Sequence, residues 1–285
     1  MTGPLHAIDA WVLDVDGCLM RTAHAGGAGG TPMPDAVPFV SALKAAGHEV
    51  VVCTNASEQP PGTYAEHLRA QGFDIDDDHL VTAGSAAADF IAREHPGARV
   101  LVLGGEGLRD PLRRLGVTPA DPGDRDLADV VVVGAARSYG TGELNAAGLA
   151  VDAGAAFYTT VDVRWFHGGL GKSICVSAAI ANAIGWVAGA EPRVLGKPSP
   201  ALAATLALRL GRPPGRVAVV GDALVEVRLA RHMGAHALLV LSGATTPERL
   251  DGVSQEERPD AAYADVAELY RLLTPHLTQS EGVTA

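Results

Sequence analysis

Residues 10–17, Ala10-Trp11-Val12-Leu13-Asp14-Val15-Asp16-Gly17, decide how this chain reads. The apolar run from Ala10 to Leu13 predicts a short buried strand. Two aspartates one residue apart follow it. Residues two apart on an extended chain face the same side, so both carboxylates can converge where the strand ends. Gly17 lets the chain turn away without a Cβ penalty. Two carboxylates on one small loop can seat a hard divalent cation, and in open α/β sheets ligands bind beyond the carboxyl ends of the strands. The same residues also read as a plain strand followed by an Asp/Gly turn. What lies downstream has to choose between the two.

The 285 residues leave room for two domains or one large one. With 47% hydrophobic and 19% charged residues, the balance is that of a globular protein. The net charge of -11 argues against nucleic acid or an anionic membrane as the main partner. An anionic substrate would need local cations or a metal to offset that field. Cys18, Cys53 and Cys175 show neither a disulfide framework nor zinc-ligand spacing, and the apolar patterns around Cys53 and Cys175 read as core. The N-terminus has no cationic segment followed by an apolar one, so no secretory signal is expected and the location reads as cytoplasmic. Ile174 to Ala190 is too short for a membrane span and is interrupted by Ser177 and Asn182. It predicts a buried helix, which could serve a homodimer interface as readily as a core.

Downstream of Gly17, residues 23–30 (AHAGGAGG) read as a mobile flap beside the carboxylates or as a tolerated surface insertion. A helix is expected from Pro34-Asp35 to Ala46, then a strand from Glu49 to Cys53 that ends in Thr54-Asn55-Ala56-Ser57. Such small polar side chains can donate to an anion or cap a helix. Pro60-Pro61-Gly62 reads as a linker, and a second series of alternating strands and helices follows. The acidic turn at 74–78 lacks the glycine and terminal glutamate of a calcium loop. Gly168 to Ser173 (GGLGKS) ends like a phosphate-binding loop, but Phe166 stands where the pattern needs glycine. Further strands are expected near Arg193–Leu195, Arg216–Val220 and Ala237–Leu241, with a frayed tail after about Thr274. The alternation implies an α/β fold with a largely parallel sheet.

Four strand ends then carry Asp14/Asp16, Thr54/Asn55, Lys197 and Asp222. Together they make a phosphoryl-transfer kit: a carboxylate to attack phosphorus, carboxylates for Mg²⁺, a lysine and hydroxyls for the oxygens, and a second acid for the proton.

In order and context these motifs resemble the haloacid dehalogenase (HAD) superfamily, and within it the NagD/4-nitrophenylphosphatase type with a C2-class α/β cap. Asp14–Gly17 (DVDG) is similar to the first family motif, Thr54-Asn55 to the second, Gly196–Pro200 (GKPSP) to the third and Gly221-Asp222 to the start of the fourth. Segments 80–91, 100–108, 131–134 and 159–162 are similar to cap counterparts. The resemblance implies a Rossmann-like core of residues 1–62 and 191–285 with an inserted cap at 63–190. It implies Asp14 as nucleophile and Asp16 as general acid and base. Mg²⁺ would sit on Asp14, Asp222 and the Asp16 backbone carbonyl, with Thr54, Asn55 and Lys197 on the phosphoryl group. Asp162, Arg164 and His167 lie in the cap loop expected to face the substrate. The implied activity is Mg²⁺-dependent hydrolysis of a small phosphorylated metabolite such as a sugar phosphate.

One departure carries weight. The fourth motif usually has a second aspartate five residues after the first, and here that residue is Val227. Glu226 comes one position earlier, a rotation of about 100° on a helix. It is the candidate replacement metal ligand. If it does not serve, a catalytically weak protein that binds a phosphorylated ligand becomes the rival reading.

Overall fold

The computed structural model describes residues 5–22, 25–27, 29–124, 127–167 and 172–277. In chain order, β1 (Ala10–Asp14) leads to a small antiparallel ribbon of β2 (Met20–Arg21) and β3 (Thr31–Pro32). Then come α1 (Ala36–Ala45), β4 (Glu49–Thr54), α2 (Pro61–Ala70), β5 (Leu80–Thr82), α3 (Ala83–Glu94), β6 (Val100–Leu103) and α4 (Glu106–Arg114). The chain continues through β7 (Val130–Val133), α5 (Thr141–Asp152), β8 (Ala156–Thr159), β9 (Trp165–His167), β10 (Lys172–Ile174) and α6 (Val176–Ala188). It closes with β11 (Arg193–Val194), α7 (Pro200–Leu210), β12 (Val217–Gly221), α8 (Leu224–Met233), β13 (His236–Val240), α9 (Pro247–Asp251), β14 (Ala261–Tyr263) and α10 (Val266–Leu277).

Two parallel sheets result. The larger has the order β14-β13-β12-β1-β4-β5. From β1 the chain builds outward to β4 and β5, and later returns to β12 on the other side of β1. That reversal is a topological switch point, where open α/β sheets leave a crevice beyond their carboxyl ends. β1 is buried along its whole length. Its alternation sends Trp11 and Leu13 into a cluster with Phe39, Leu43 and Leu269, and Ala10 and Val12 into another with Leu202, Leu206 and Leu229. Helices therefore cover both faces, which is why these strands are almost continuously apolar.

The second sheet has the order β11-β8-β7-β6. Val100, Val102, Val130 and Val132 pack on α3 and α4, and Leu101, Leu103, Val131 and Val133 on α5 and α6. The fold is thus α/β, a Rossmann-like core sheet with a second α/β layer inserted in the chain.

The expected boundary at residue 62/63 cuts through a helix. Pro61 opens α2 at a position where its missing N–H costs nothing, so Pro60-Pro61-Gly62 is not a linker. Tyr64, Ala65 and Leu68 pack in the larger sheet's core, and β5 pairs with β4. At the other end β11 pairs with β8. We propose that the inserted unit runs from about residue 83 to about residue 195. Two further differences follow from helix faces. α6 buries Ala178, Ala181 and Ile184 but leaves Trp186 at 86% and Val187 at 70% exposure, so it is half-buried. α10 continues past Thr274 to Leu277, which is buried in the core. Among the described residues no helix is long and apolar enough to cross a membrane.

Candidate active site

The carboxyl ends of β1, β4 and β12, with the turn before α7 and the start of α8, bring together Asp14, Asp16, Thr54, Asn55, Lys197, Asp222 and Glu226. Asp14 closes β1 with its side chain buried, and Lys197 Nζ donates to its Oδ1. The same ammonium lies 3.0 Å from Glu226 Oε1. Lys197 is 2% exposed, so its charge is answered by these two carboxylates rather than by water. Burial works against the ammonium form, yet Asp14 and Glu226 outweigh it and hold the lysine well above its usual value. Burial pushes Asp14 up to about 7, with Lys197 pulling the other way and Glu226 and Asp16 adding to the rise.

Asp16 Oδ2 accepts from the Gly26 backbone N–H at 2.9 Å and from Thr54 Oγ1 at 3.2 Å. Thr54 Oγ1 itself accepts from Ala56 N. Asn55 Oδ1 accepts from Lys197 N at 2.8 Å. Thr54 and Asn55 therefore fix Asp16 and the Lys197 backbone, beyond the anion-donating role expected of them. The described part of the Gly-rich segment is no free insertion. Gly26 has φ 82°, and a Cβ there would overlap the Tyr64 ring, so only glycine brings its amide to Asp16.

Asp222, immediately after β12, is buried. Burial and then the carboxylates of Asp14 and Glu226 push it well above the usual carboxylate range. Ala244 N donates to its Oδ2 at 2.6 Å. A Cβ on Gly17 or on Gly243 would overlap that same oxygen. Gly17 belongs to the first motif, whereas Gly243 and Gly26 are site residues that the motifs alone do not single out. The low-complexity run and the Ser242-Gly243 strand end were the available signals.

Glu226 reaches the site as anticipated, while Val227, 1% exposed, packs in the apolar cluster behind it. Both Glu226 oxygens have protein donors: Oε1 takes Lys197 and Oε2 takes Ala223 N at 3.1 Å. Its geometry is that of a brace for Lys197 at the start of α8.

A cavity of about 450 Å³ opens from Asp16 toward the second sheet. The loop after β4 joins its two walls. Ser57 Oγ lies 3.0 Å from Thr160 Oγ1 and accepts from Ala135 N, and Glu58 O accepts from Gly107 N. The segment after β8 lines the cavity with Val161, Val163 and Phe166, whereas Asp162 and Arg164 are exposed and do not line it. The cause is alternation on an extended chain: Val161 and Val163 take the inner side, so Asp162 and Arg164 take the outer. Asp162 meets Asn182 instead. The His167 side chain and residues 168–171 lie outside the described residues. Cys175, expected in the core, is half-buried and lines the cavity.

The matching family models are a haloacid dehalogenase-like hydrolase model over residues 11–118 and a HAD-hydrolase-like model over residues 194–269. A protein from Staphylococcus saprophyticus described as an acid sugar phosphatase is 30% identical over 93% of this chain and 97% of its own length. The chain belongs to the haloacid dehalogenase-like hydrolases. Within this HAD family it is of the NagD/4-nitrophenylphosphatase type, an enzyme of the phosphatase class. The ribonucleotide monophosphatase NagD of Escherichia coli K12 is 29% identical over 90% of this chain and 96% of that protein. The 4-nitrophenylphosphatase structure from Thermotoga maritima superposes with a TM-score of 0.84 at 27% identity, covering 95% of this chain and 99% of that one. A glycerol phosphate phosphatase from Mycobacterium tuberculosis, solved with magnesium, gives 0.82 at 28% identity, covering 96% and 80%.

Proposed function

We propose that this HAD-family chain is a Mg²⁺-dependent phosphatase of small organic phosphomonoesters that works through an aspartyl-phosphate on Asp14. The observation that carries the reading is the Asp14–Lys197 contact close in the chain to an Asp16 that is held by Gly26 and Thr54 and lines the cavity. An Asp14 oxygen attacks phosphorus as the bond to the alcohol oxygen breaks. Asp16 gives its proton to that oxygen. Asp16 then takes a proton from the water that attacks the phosphorus of the aspartyl-phosphate, releasing phosphate and free Asp14. Lys197 offsets the charge of both nucleophile and phosphoryl oxygens.

The donor set suits a hard cation: oxygen donors only, and buried Asp14, Asp222 and Glu226 against the single ammonium of Lys197. Among the described residues no three His, Cys, Asp or Glu side chains converge on a common cation position. Asp14 and Asp222, completed by the Asp16 backbone carbonyl, would hold the cation. The cation would offset the repulsion between an anionic nucleophile and an anionic phosphate.

The Glu226 contact with Lys197 favours an enzyme over a phospho-ligand-binding protein, because a buried acid that positions the lysine facing Asp14 serves the attack on phosphorus. The exposed Leu149, Trp186 and Val187 supply an apolar face for self-association, which sedimentation would measure. The deciding experiment is phosphate release from a panel of phosphomonoesters, with Mg²⁺ and with EDTA, for wild type and Asp14→Asn. We expect metal-dependent turnover that Asp14→Asn abolishes. Ligand binding without turnover in the wild type would overturn the phosphatase in favour of the binding protein.

A further inference from the structure

The cavity above Asp16 differs from the site beneath it in charge. Its only charged lining residue besides Asp16 is Glu58 among the described residues. Cations stand nearby on adjoining segments, and among the described residues no lysine or arginine lines the cavity. Arg137 is 86% exposed and ion-paired with Glu58. Arg164 is exposed. Lys172 is exposed and lies over the Trp165 ring. Lys197 is spent on Asp14 and Glu226. Residues 23–24, 28 and 168–171, which adjoin lining residues in sequence, contain no lysine or arginine.

Part of the polar lining is committed. Tyr64 Oη accepts from Gln59 N, Tyr139 Oη donates to Gly134 O, and Ser57 Oγ is held by Thr160 and Ala135. Gln59, Ser173 and Ser177 add further polar groups, and Val161, Val163, Phe166, Ile174 and Val176 supply an apolar part of the lining. A second carboxylate or phosphate in such a space would be desolvated without a partner.

We propose, on the basis of the phosphatase reading above, that the alcohol half of the substrate carries no negative charge and presents an apolar or aromatic face, any charge it bears being positive and set against Glu58. Phe166 and the valines take the apolar face. Glu58 selects for a cation and against an anion at the far end.

The test is a matched series: 4-methylbenzyl, 4-(aminomethyl)benzyl and 4-carboxybenzyl phosphate, with glucose 6-phosphate as the polyol. We expect kcat/KM for the carboxylate to lie at least about tenfold below the methyl compound, the ammonium to equal or exceed it, and glucose 6-phosphate to fall below it. Glu58→Gln should narrow the ammonium-to-carboxylate ratio by about tenfold, and Phe166→Ala should lower kcat/KM for every benzyl ester while sparing methyl phosphate. A carboxylate ester or glucose 6-phosphate preferred over the methyl compound, or a ratio untouched by Glu58→Gln, would overturn the proposal. Methyl phosphate is too short to reach the apolar wall, so its hydrolysis reports the phosphatase reading alone. Calorimetric titration of the same esters into Asp14→Asn reads the pocket's order of preference without turnover. The order expected above would uphold the proposal, and a reversed order would overturn it, whether or not phosphate is released.

Discussion

Glu226 Oε1 sits 3.0 Å from the Lys197 ammonium, while its other oxygen receives the Ala223 N–H. One side chain thus ties the start of α8 to the lysine that faces Asp14. The sequence suggested Glu226 as a stand-in metal ligand, for which Glu226→Ala would raise the Mg²⁺ requirement. The geometry shifts the expected effect to the lysine. Glu226→Gln should lower kcat by about 10- to 100-fold, because a misplaced ammonium no longer screens the nucleophile, and the Mg²⁺ midpoint should stay close to wild type. The midpoint moving as far as kcat would return Glu226 to the metal.

Gly26 offers a test of how Asp16 is aimed. Its φ of 82° and the Tyr64 ring beside it leave no space for a Cβ. Gly26→Ala should pull the amide away from Asp16 and reduce kcat by about 10- to 100-fold. The stability loss should be about 1–2 kcal/mol for the left-handed alanine, with a further cost of about 1–3 kcal/mol where the methyl group displaces the Tyr64 ring. Steady-state kinetics with a thermal melt separate the two, and unchanged kcat would make the segment a spacer.

Gly243 presses on the metal side. A methyl group there would overlap Asp222 Oδ2, the atom that also takes the Ala244 N–H. Gly243→Ala should rotate that carboxylate and weaken Mg²⁺ binding by about 10- to 100-fold, the range for displaced supports of metal ligands. A Mg²⁺ titration matching wild type would remove Asp222 from the cation site.

A pH effect on stability is expected far from the chemistry. Trp11 Nε1 donates to His48 Nδ1 at 2.9 Å, so the folded protein needs a neutral imidazole. Burial, opposed by Asp9 and assisted by Arg216, holds His48 below its ordinary value of 6.5. A depressed histidine binds fewer protons in the folded state than in the unfolded one. Its contribution is therefore complete above the unfolded value and is lost as pH falls through it toward the folded one. Between pH 7 and pH 5 the melting temperature of the wild type should fall more steeply than that of His48→Gln. Parallel curves would mean that His48 does not titrate on unfolding.

The parts of the fold legible in the sequence were those with long apolar runs. β1, β4, β7 and β12 announce themselves, and the charged or hydroxyl residues at their ends mark the site. Asp14, Asp16, Lys197 and Asp222 were therefore visible before any coordinates. Leu80–Thr82 is too short to show a period, so β5 went unseen and the division of the chain was set too early. The orientation of Val161–Arg164 was hidden for a related reason. Alternation fixes which residues share a side, but not which side faces the cavity. The hydrogen bond from the Gly26 backbone N–H to Asp16 was illegible because a backbone donor leaves no mark on residue type.

Ser57 gives the loop after β4 a consequence of its own. That loop begins at Thr54, which holds Asp16, and three residues later is fastened to Thr160 and Ala135 of the second sheet. The floor and the far wall of the cavity are thus spaced by a few covalent bonds of one chain segment. Such a pocket acts as a caliper with a fixed jaw. For the phosphatase proposed above, this spacing should grade esters by their reach from phosphorus, so that length as well as chemistry decides which alcohol fits.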